Sequence, residues 1–190
     1  MAYCLMSLLG VDMPLVYGEG EAEAFLRLQG EILLTSTDTS IFAWAIPASH
    51  SHAYYGLLAP SVECFANSHE IDPGSREVPI ISEPCMYPMR GLCISLSMRE
   101  IGEHYYTAHI NATSRRIEDY NSSGPLAIYL LHVGKEPTPS RGYFYRVGFD
   151  SLPASIRRQA TATGSEKASW KLYKIYVAQW NASGIPLPAI

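Results

Sequence analysis

The chain has 190 residues, of which 47% are hydrophobic and 17% charged, and its formal net charge is -4. These values are typical of a globular protein with one large domain, or one domain and part of a second. No cluster of lysine and arginine is longer than a pair, so the sequence lacks the basic patch of nucleic-acid-binding proteins. The same lack argues against a membrane surface as partner. The sequence also contains no run of about 18 apolar residues, so we expect no membrane-spanning helix.

The first element along the chain is a predicted helix over residues 2–9. Only Ser7 is clearly polar in this segment, and Gly10 is placed to adopt the left-handed conformation that ends a helix. A helix that is apolar on every side must be buried, and an isolated helix this short is marginal in water. We therefore expect the chain to begin inside a larger domain, of which this helix is the last part.

A second helix is predicted over residues 19–34. Pro14 disfavours the helical conformation at Met13, so any helix before it ends there. The apolar residues that follow have the i, i+3, i+4 spacing of one buried helix face, which only Gln29 interrupts. This face consists of Ala22, Phe25, Leu26, Ile32 and Leu33. Arg27 has carboxylates four residues away on both sides, which predicts ion pairs with Glu23 and Glu31.

The pattern changes to β-structure after residue 39. Residues 40–44 predict a strand, residues 47–90 are irregular, and a two-residue period dominates from Gly91 onward. Further strands are predicted over residues 104–110, 126–133, 143–147 and 170–177. The predicted fold class is α+β, with the N-terminal helices followed by an antiparallel sandwich or partly open barrel of roughly six to eight strands.

The segment Tyr17-Gly18-Glu19-Gly20 raises the question of a phosphate-binding loop. A dinucleotide fingerprint requires a third glycine where this chain has Glu23, and no Walker sequence occurs. Carboxylates around the glycines occupy the positive end of the helix dipole and repel a phosphate. The segment therefore predicts an acidic entry to the second helix, and we expect no cofactor there.

Other candidate chemistry is equally sparse. His50 and His52 share one face if their segment is extended, but no third zinc ligand follows at a suitable spacing. The G-x-S-x-G signature is absent, and the sequence proximity of Cys64 and His69 does not establish a catalytic pair. The chain has four cysteines without a C-x-x-C pair: Cys4, Cys64, Cys85 and Cys93. We expect reduced, structural thiols in a cytosolic protein, with no catalytic, cofactor-binding or metal-binding residue.

Tyrosine is abundant, with thirteen residues in the chain. Tyrosine-rich strands, such as the one that contains Tyr105 and Tyr106, can form a stacking platform for sugars or bases. Tyrosine also fits a half-buried sheet surface, and without a basic groove we favour this packing role.

Several motifs in the first 68 residues resemble one protein family. They are Ala2-Tyr3-Cys4-Leu5-Met6, Met13-Pro14-Leu15, Tyr17-Gly18-Glu19-Gly20, Phe25, Arg27-Leu28-Gln29, Glu31-Ile32, Ile41-Phe42-Ala43-Trp44, Gly56-Leu57-Leu58-Ala59-Pro60-Ser61 and Phe65-Ala66-Asn67-Ser68. This pattern is similar to the region that follows the HET domain in fungal heterokaryon-incompatibility proteins. Ser7 replaces the usual glycine, the helix start at residues 21–24 is one residue longer, and the similarity is diffuse beyond residue 68.

The resemblance implies a division into residues 1–38, the end of the HET region with a junction helix, residues 39–180, a β-rich accessory domain, and residues 181–190, a tail. In the family the HET domain itself, related to the Toll/interleukin-receptor fold, lies upstream. Any catalytic acid for cleaving a nicotinamide dinucleotide would lie there, so no catalytic residue is assigned to this chain.

The function implied is a non-catalytic accessory role in vegetative incompatibility, that is, in self/non-self recognition and programmed cell death. The expected partner is a HET domain, in the same polypeptide in full-length relatives, or another incompatibility protein. Two alternatives stay open. One is a β-sheet binding module for a glycan or peptide, for which Tyr105 and Tyr106 are the test residues. The other is an enzyme with an unrecognised site.

Overall fold

The structure is a computed structural model that describes residues 2–36, 38–46, 54–73, 85–87, 91–114, 126–134, 143–161 and 170–179. Its helices are α1 (Ala2–Leu9), α2 (Glu21–Thr35) and α3 (Ala154–Thr161). Its strands are β1 (Ile71–Pro73), β2 (Cys85–Tyr87), β3 (Gly91–Gly102), β4 (Tyr105–His109), β5 (Ala112–Ser114), β6 (Ala127–Val133), β7 (Tyr143–Val147) and β8 (Lys171–Val177). The α+β class predicted from the sequence is confirmed.

The two N-terminal helices lie close to their predicted positions. After α1, Gly10 has a φ of 65°, and the Val11 amide donates a hydrogen bond to the Met6 carbonyl at 3.1 Å. This is the bonding pattern of a helix that ends in a left-handed glycine. Helix α2 begins at Glu21, two residues later than predicted, because Gly20 is extended at its N-cap.

Five strands form a closed barrel in the order β3, β4, β6, β7, β8 and back to β3. Strand β3 closes the ring because its first part pairs with β8 and its last part with β4. The seam between β7 and β8 is parallel, whereas the other four are antiparallel. The predicted antiparallel arrangement therefore describes all of the barrel except one short seam.

The interior of the barrel is filled by alternate residues of its strands. They are Leu92, Ile94, Leu96, Met98, Tyr106, Ala108, Ile128, Leu130, Phe144, Ile175 and Val177. Leu33 of α2 and Phe42 and Leu57 from the connecting segments join the same cluster. Burial of each large apolar side chain contributes about 1.5–3 kcal/mol, so this cluster is the main source of stability.

The sequence-based prediction is wrong at one strand and misses one helix. The strand predicted over residues 40–44 is wrong, because Thr39–Phe42 is a 3-10 helix. The Asp38 carboxylate accepts hydrogen bonds from the amide and hydroxyl of Ser40, both at 2.8 Å, and so caps this helical turn. Helix α3 was not predicted; its Ile156 packs with Leu152 against Val147 on the outside of the barrel.

The segment treated as irregular, residues 47–90, contains short elements where it is described. They are the 3-10 helices Val62–Phe65 and Ser68–Glu70 and the strands β1 and β2. The pair His50 and His52 lies outside the described residues. No helix in the described ranges combines the length and apolarity needed to cross a bilayer.

Candidate interaction surface

The glycine-containing junction before α2 is organised around a carboxylate. Glu19 accepts hydrogen bonds from Nη2 and Nε of Arg27, at 2.5 and 3.2 Å, and from the hydroxyl of Tyr3. Arg27 also donates from Nη1 to the Pro14 carbonyl at 2.8 Å. The hydrogen bond with Glu19 raises the pKa of Arg27 above its ordinary value. The junction thus joins α1, the connecting loop and α2 through side chains of the chain itself.

The ion pair of Arg27 differs from the predicted ones. Its closest carboxylate is that of Glu19, eight residues earlier and outside α2, rather than Glu23 or Glu31. Gly18 has a φ of 86°, a conformation that favours glycine. This turn brings Glu19 back toward α2, a geometry that helical spacing does not reveal.

Gln29 also connects two of the resemblance motifs, as the junction around Glu19 does. Its side-chain amide donates to the Ala59 carbonyl at 2.9 Å and accepts from the Ala59 amide at 2.8 Å. Gln29 is buried, and both of its polar atoms are satisfied. The one polar residue on the apolar face of α2 therefore ties this helix to the segment around Leu57, whose carbonyl accepts from Trp44 Nε1 at 2.6 Å.

A buried arginine attaches the segment around Trp44 to the barrel. Arg146 of β7 donates to the Phe42 carbonyl at 2.9 Å and the Trp44 carbonyl at 2.7 Å. Its guanidinium carbon lies 3.8 Å from the centroid of the Trp44 ring, a cation–π contact. Burial lowers the pKa of Arg146 to about 9, and no carboxylate in the described ranges pairs with it. The arginine acts as a clamp for two carbonyls and an indole ring.

Helix α1 and the loop that follows it expose a set of apolar side chains, which we call the N-terminal face. It consists of Leu8, Leu9, Leu15, Val16 and Tyr17. Leu8 is 81% exposed, Leu9 51% and Tyr17 95%. We expected the helix over residues 2–9 to be buried on every side, but Ala2 is its only buried residue. Single exposed apolar residues are normal, whereas a concentration of them is typical of an interaction site.

The loop that carries three of the five residues of this face is tied to α1. The amide of Val16 donates to the hydroxyl of Tyr3 at 3.0 Å, and the same hydroxyl accepts from Nη2 of Arg27 at 3.0 Å. The face is therefore held in place by the junction around Glu19.

An apolar groove of about 510 Å³ lies beside the N-terminal face. Leu5 and Leu9 of α1 form one wall and α2 another, so Leu9 belongs to both the face and the groove. The groove is also lined by Ile41, Val62, Phe65, Ile71 and Pro73, with Ser36, Asp38, Ser40 and Ser68 as polar residues. Its volume lies within the range of small-molecule and side-chain pockets.

The tyrosines considered as a binding platform do not share a surface. Tyr105 and Tyr106 follow each other in β4, so their side chains lie on opposite faces. Tyr106 is buried in the barrel with its ring centroid 5.6 Å from that of Phe144. Tyr105 packs with the cluster under α3.

The cysteines differ in exposure. Cys4 is exposed, whereas Cys64 is buried with its sulfur 3.7 Å from the Ser61 hydroxyl. Within the ranges that the structure describes, no group of three or more potential metal ligands converges.

A buried histidine in β6 was not singled out from the sequence. His132 lies in the barrel with its ring centroid 4.9 Å from that of Phe144. Neither ring nitrogen of His132 has a hydrogen-bond partner among the residues that the structure describes, and burial lowers the pKa of His132. The only sequence signal is a polar residue within an apolar run, which is also compatible with an exposed position.

Comparison of the chain with family models, with curated proteins and with solved structures returns no match. The family expected from residues 2–68 therefore stays a prediction. The geometry of the N-terminal face is the basis on which a function can be proposed.

Proposed function

We propose that this chain is a non-catalytic accessory region of a fungal vegetative-incompatibility protein, acting in the cytoplasm in self/non-self recognition and programmed cell death. Its N-terminal face packs against a HET domain, in the same polypeptide or in another incompatibility protein. The observation that carries the proposal is the exposure of Leu8, Leu9 and Tyr17 on a helix and loop that carry the resemblance motifs.

The chemistry of the face suits a protein partner. Its side chains are uncharged, and removing apolar surface from water contributes roughly 25 cal/mol per Å². Tyr17 adds an aromatic ring with a hydroxyl, the type of side chain enriched among residues that dominate binding energy. Because Tyr3 and Arg27 hold the loop in place, little conformational entropy is lost when a partner binds.

The test combines the chain with the HET domain of a full-length relative that carries the same motifs. We expect a complex in size-exclusion chromatography with light scattering, and a dissociation constant measurable by calorimetry. The double variant Leu8→Glu with Tyr17→Ser should weaken binding by roughly tenfold or more, because it puts a charge into an apolar interface.

The matched control is Leu172→Glu, which changes another exposed leucine, on β8 of the barrel. It should leave the affinity unchanged. Absence of a complex with the original chain, or equal weakening by the control, would contradict the proposal.

A non-catalytic accessory role also predicts that the chain alone has no enzymatic activity. We expect the chain alone to give no turnover in an assay of nicotinamide-dinucleotide hydrolysis, because the proposal assigns any such chemistry to the HET domain. Hydrolysis by the purified chain, retained in the variant Leu8→Glu with Tyr17→Ser, would instead favour an enzyme with its own site.

A further inference from the structure

Two cysteines occupy directly opposite positions in neighbouring strands. The antiparallel pairing of β2 with β3 places the Cα of Cys85 opposite the Cα of Cys93. Directly opposite residues in an antiparallel pair have Cα atoms about 4.5–5.5 Å apart. This separation lies within the range of about 4.4–6.8 Å that disulfides bridge, so the backbone of the two strands can accept a bond between these residues.

The other cysteines lie elsewhere in the fold. Cys4 is exposed on α1, and Cys64 is buried in the 3-10 helix Val62–Phe65. Cys93 is 1% exposed at the start of β3. The register therefore singles out one pair among the cysteines whose positions in the fold are known.

We propose that Cys85 and Cys93 form a reversible disulfide when the chain meets a low-molecular-weight disulfide such as oxidised glutathione. The thiolate of one cysteine attacks the glutathione disulfide, and one glutathione thiolate leaves. The second cysteine thiolate then attacks the mixed disulfide and releases the second glutathione. The two cysteines give up two electrons and two protons, which the two departing glutathione molecules take up as thiols.

The position of β2 provides a route for this reaction. Strand β2 has three residues and pairs with β3 alone among the described strands. Short edge elements open locally at a small fraction of the free energy of global unfolding, so oxidised glutathione can reach the pair without unfolding of the barrel. A disulfide would then fix β2 to β3. The inference rests on the strand register and is independent of the proposed partner.

The experiment equilibrates the full chain with mixtures of reduced and oxidised glutathione. The remaining thiols are then alkylated in denaturant and counted by intact mass. As the oxidised fraction rises, we expect two of the four thiols to escape alkylation, so the intact mass should fall by two alkyl adducts and by the two hydrogen atoms lost on oxidation. Trypsin cleaves after Arg76, Arg90 and Arg99, so the disulfide should join the peptide of residues 77–90 to that of residues 91–99.

Variants separate this pair from the other cysteines. Cys64→Ser should still form the cross-linked peptides, whereas Cys85→Ser and Cys93→Ala should not. Cys85→Ser serves as the test if the buried change at Cys93 prevents folding. Retention of all four thiols at every glutathione ratio would overturn the inference, and so would a cross-link that joins other cysteines or persists in Cys85→Ser.

Discussion

At the scale of single residues, the most consequential feature is a charged side chain that is buried without a carboxylate partner in the described part of the chain. Arg146 satisfies the carbonyls of Phe42 and Trp44 and stacks on the indole ring. A buried cation is normally destabilising, but its hydrogen bonds to these two carbonyls offset part of that penalty. Sequence reasoning could not identify the clamp, because its partners lie about one hundred residues earlier in the chain.

Replacing Arg146 should therefore be costly. We expect Arg146→Ala to lower the free energy of unfolding by about 3 kcal/mol, since it leaves two buried carbonyls unsatisfied and removes the packing on Trp44. Urea unfolding measures the change. Lys171→Ala, at an exposed position of β8, is the matched control and should stay within about 0.5 kcal/mol of the original chain. A loss no larger than that of the control would refute the clamp.

Replacing His132 should instead raise the free energy of unfolding. At least one of its ring nitrogens carries a proton that no acceptor in the described residues satisfies. An unsatisfied buried polar group costs about 1–3 kcal/mol. We therefore expect His132→Leu to raise the free energy of unfolding at pH 7, as measured by urea unfolding. A destabilised variant would mean that the imidazole makes favourable contacts that the ring geometry does not show.

The same histidine should make stability depend on pH. Burial, and secondarily His104, lower the pKa of His132 in the folded protein, so the unfolded chain binds a proton more readily. Stability should therefore fall as the pH drops below the unfolded value of about 6.5. His132→Leu should reduce this slope but not abolish it, because burial also lowers the pKa of His109. An unchanged slope in unfolding experiments between pH 7 and pH 5 would contradict this assignment.

At the scale of elements, local periodicity identified the long pieces and failed where a side chain or a distant partner decides the structure. Helices α1 and α2 and the strands β4, β6, β7 and β8 follow their hydrophobic patterns. The segment around Ile41 has the composition of a strand, but the Asp38 cap turns it into a 3-10 helix. Closure of the barrel through β3 could not be predicted, because it depends on pairing between residues far apart in the chain.

Helix α2 offers a stabilising change at one of its glycines. Gly30 lies inside the helix, and a Cβ built on it meets no atom within 4 Å. We expect Gly30→Ala to raise the free energy of unfolding by roughly 0.5–1 kcal/mol, because alanine loses less backbone entropy in a helix. Thermal or urea unfolding measures this change. Gly56→Ala is the contrasting variant and should destabilise, since its Cβ would lie 2.3 Å from Oε1 of Gln179.

At the scale of the whole molecule, the barrel serves as a platform for the N-terminal helices. Gln29 connects α2 to the segment around Leu57, to which Trp44 is hydrogen-bonded, and Arg146 connects the segment around Trp44 to the barrel. The Glu19 junction then fixes α1 and its loop on this platform. The sequence predicted an apolar first helix in need of cover. The sequence could not show that the described part of the chain buries α1 only incompletely, because the burial of α1 depends on the final packing.

Burial of the N-terminal face by a partner can be measured directly by hydrogen–deuterium exchange of the chain with and without a HET domain. We expect slower exchange in residues 3–17 on addition of the HET domain, because a docked surface restricts opening of α1 and its loop. Exchange in β8 should stay unchanged. Unaltered exchange over residues 3–17 at saturating HET domain, or protection confined to the barrel, would contradict the proposed docking.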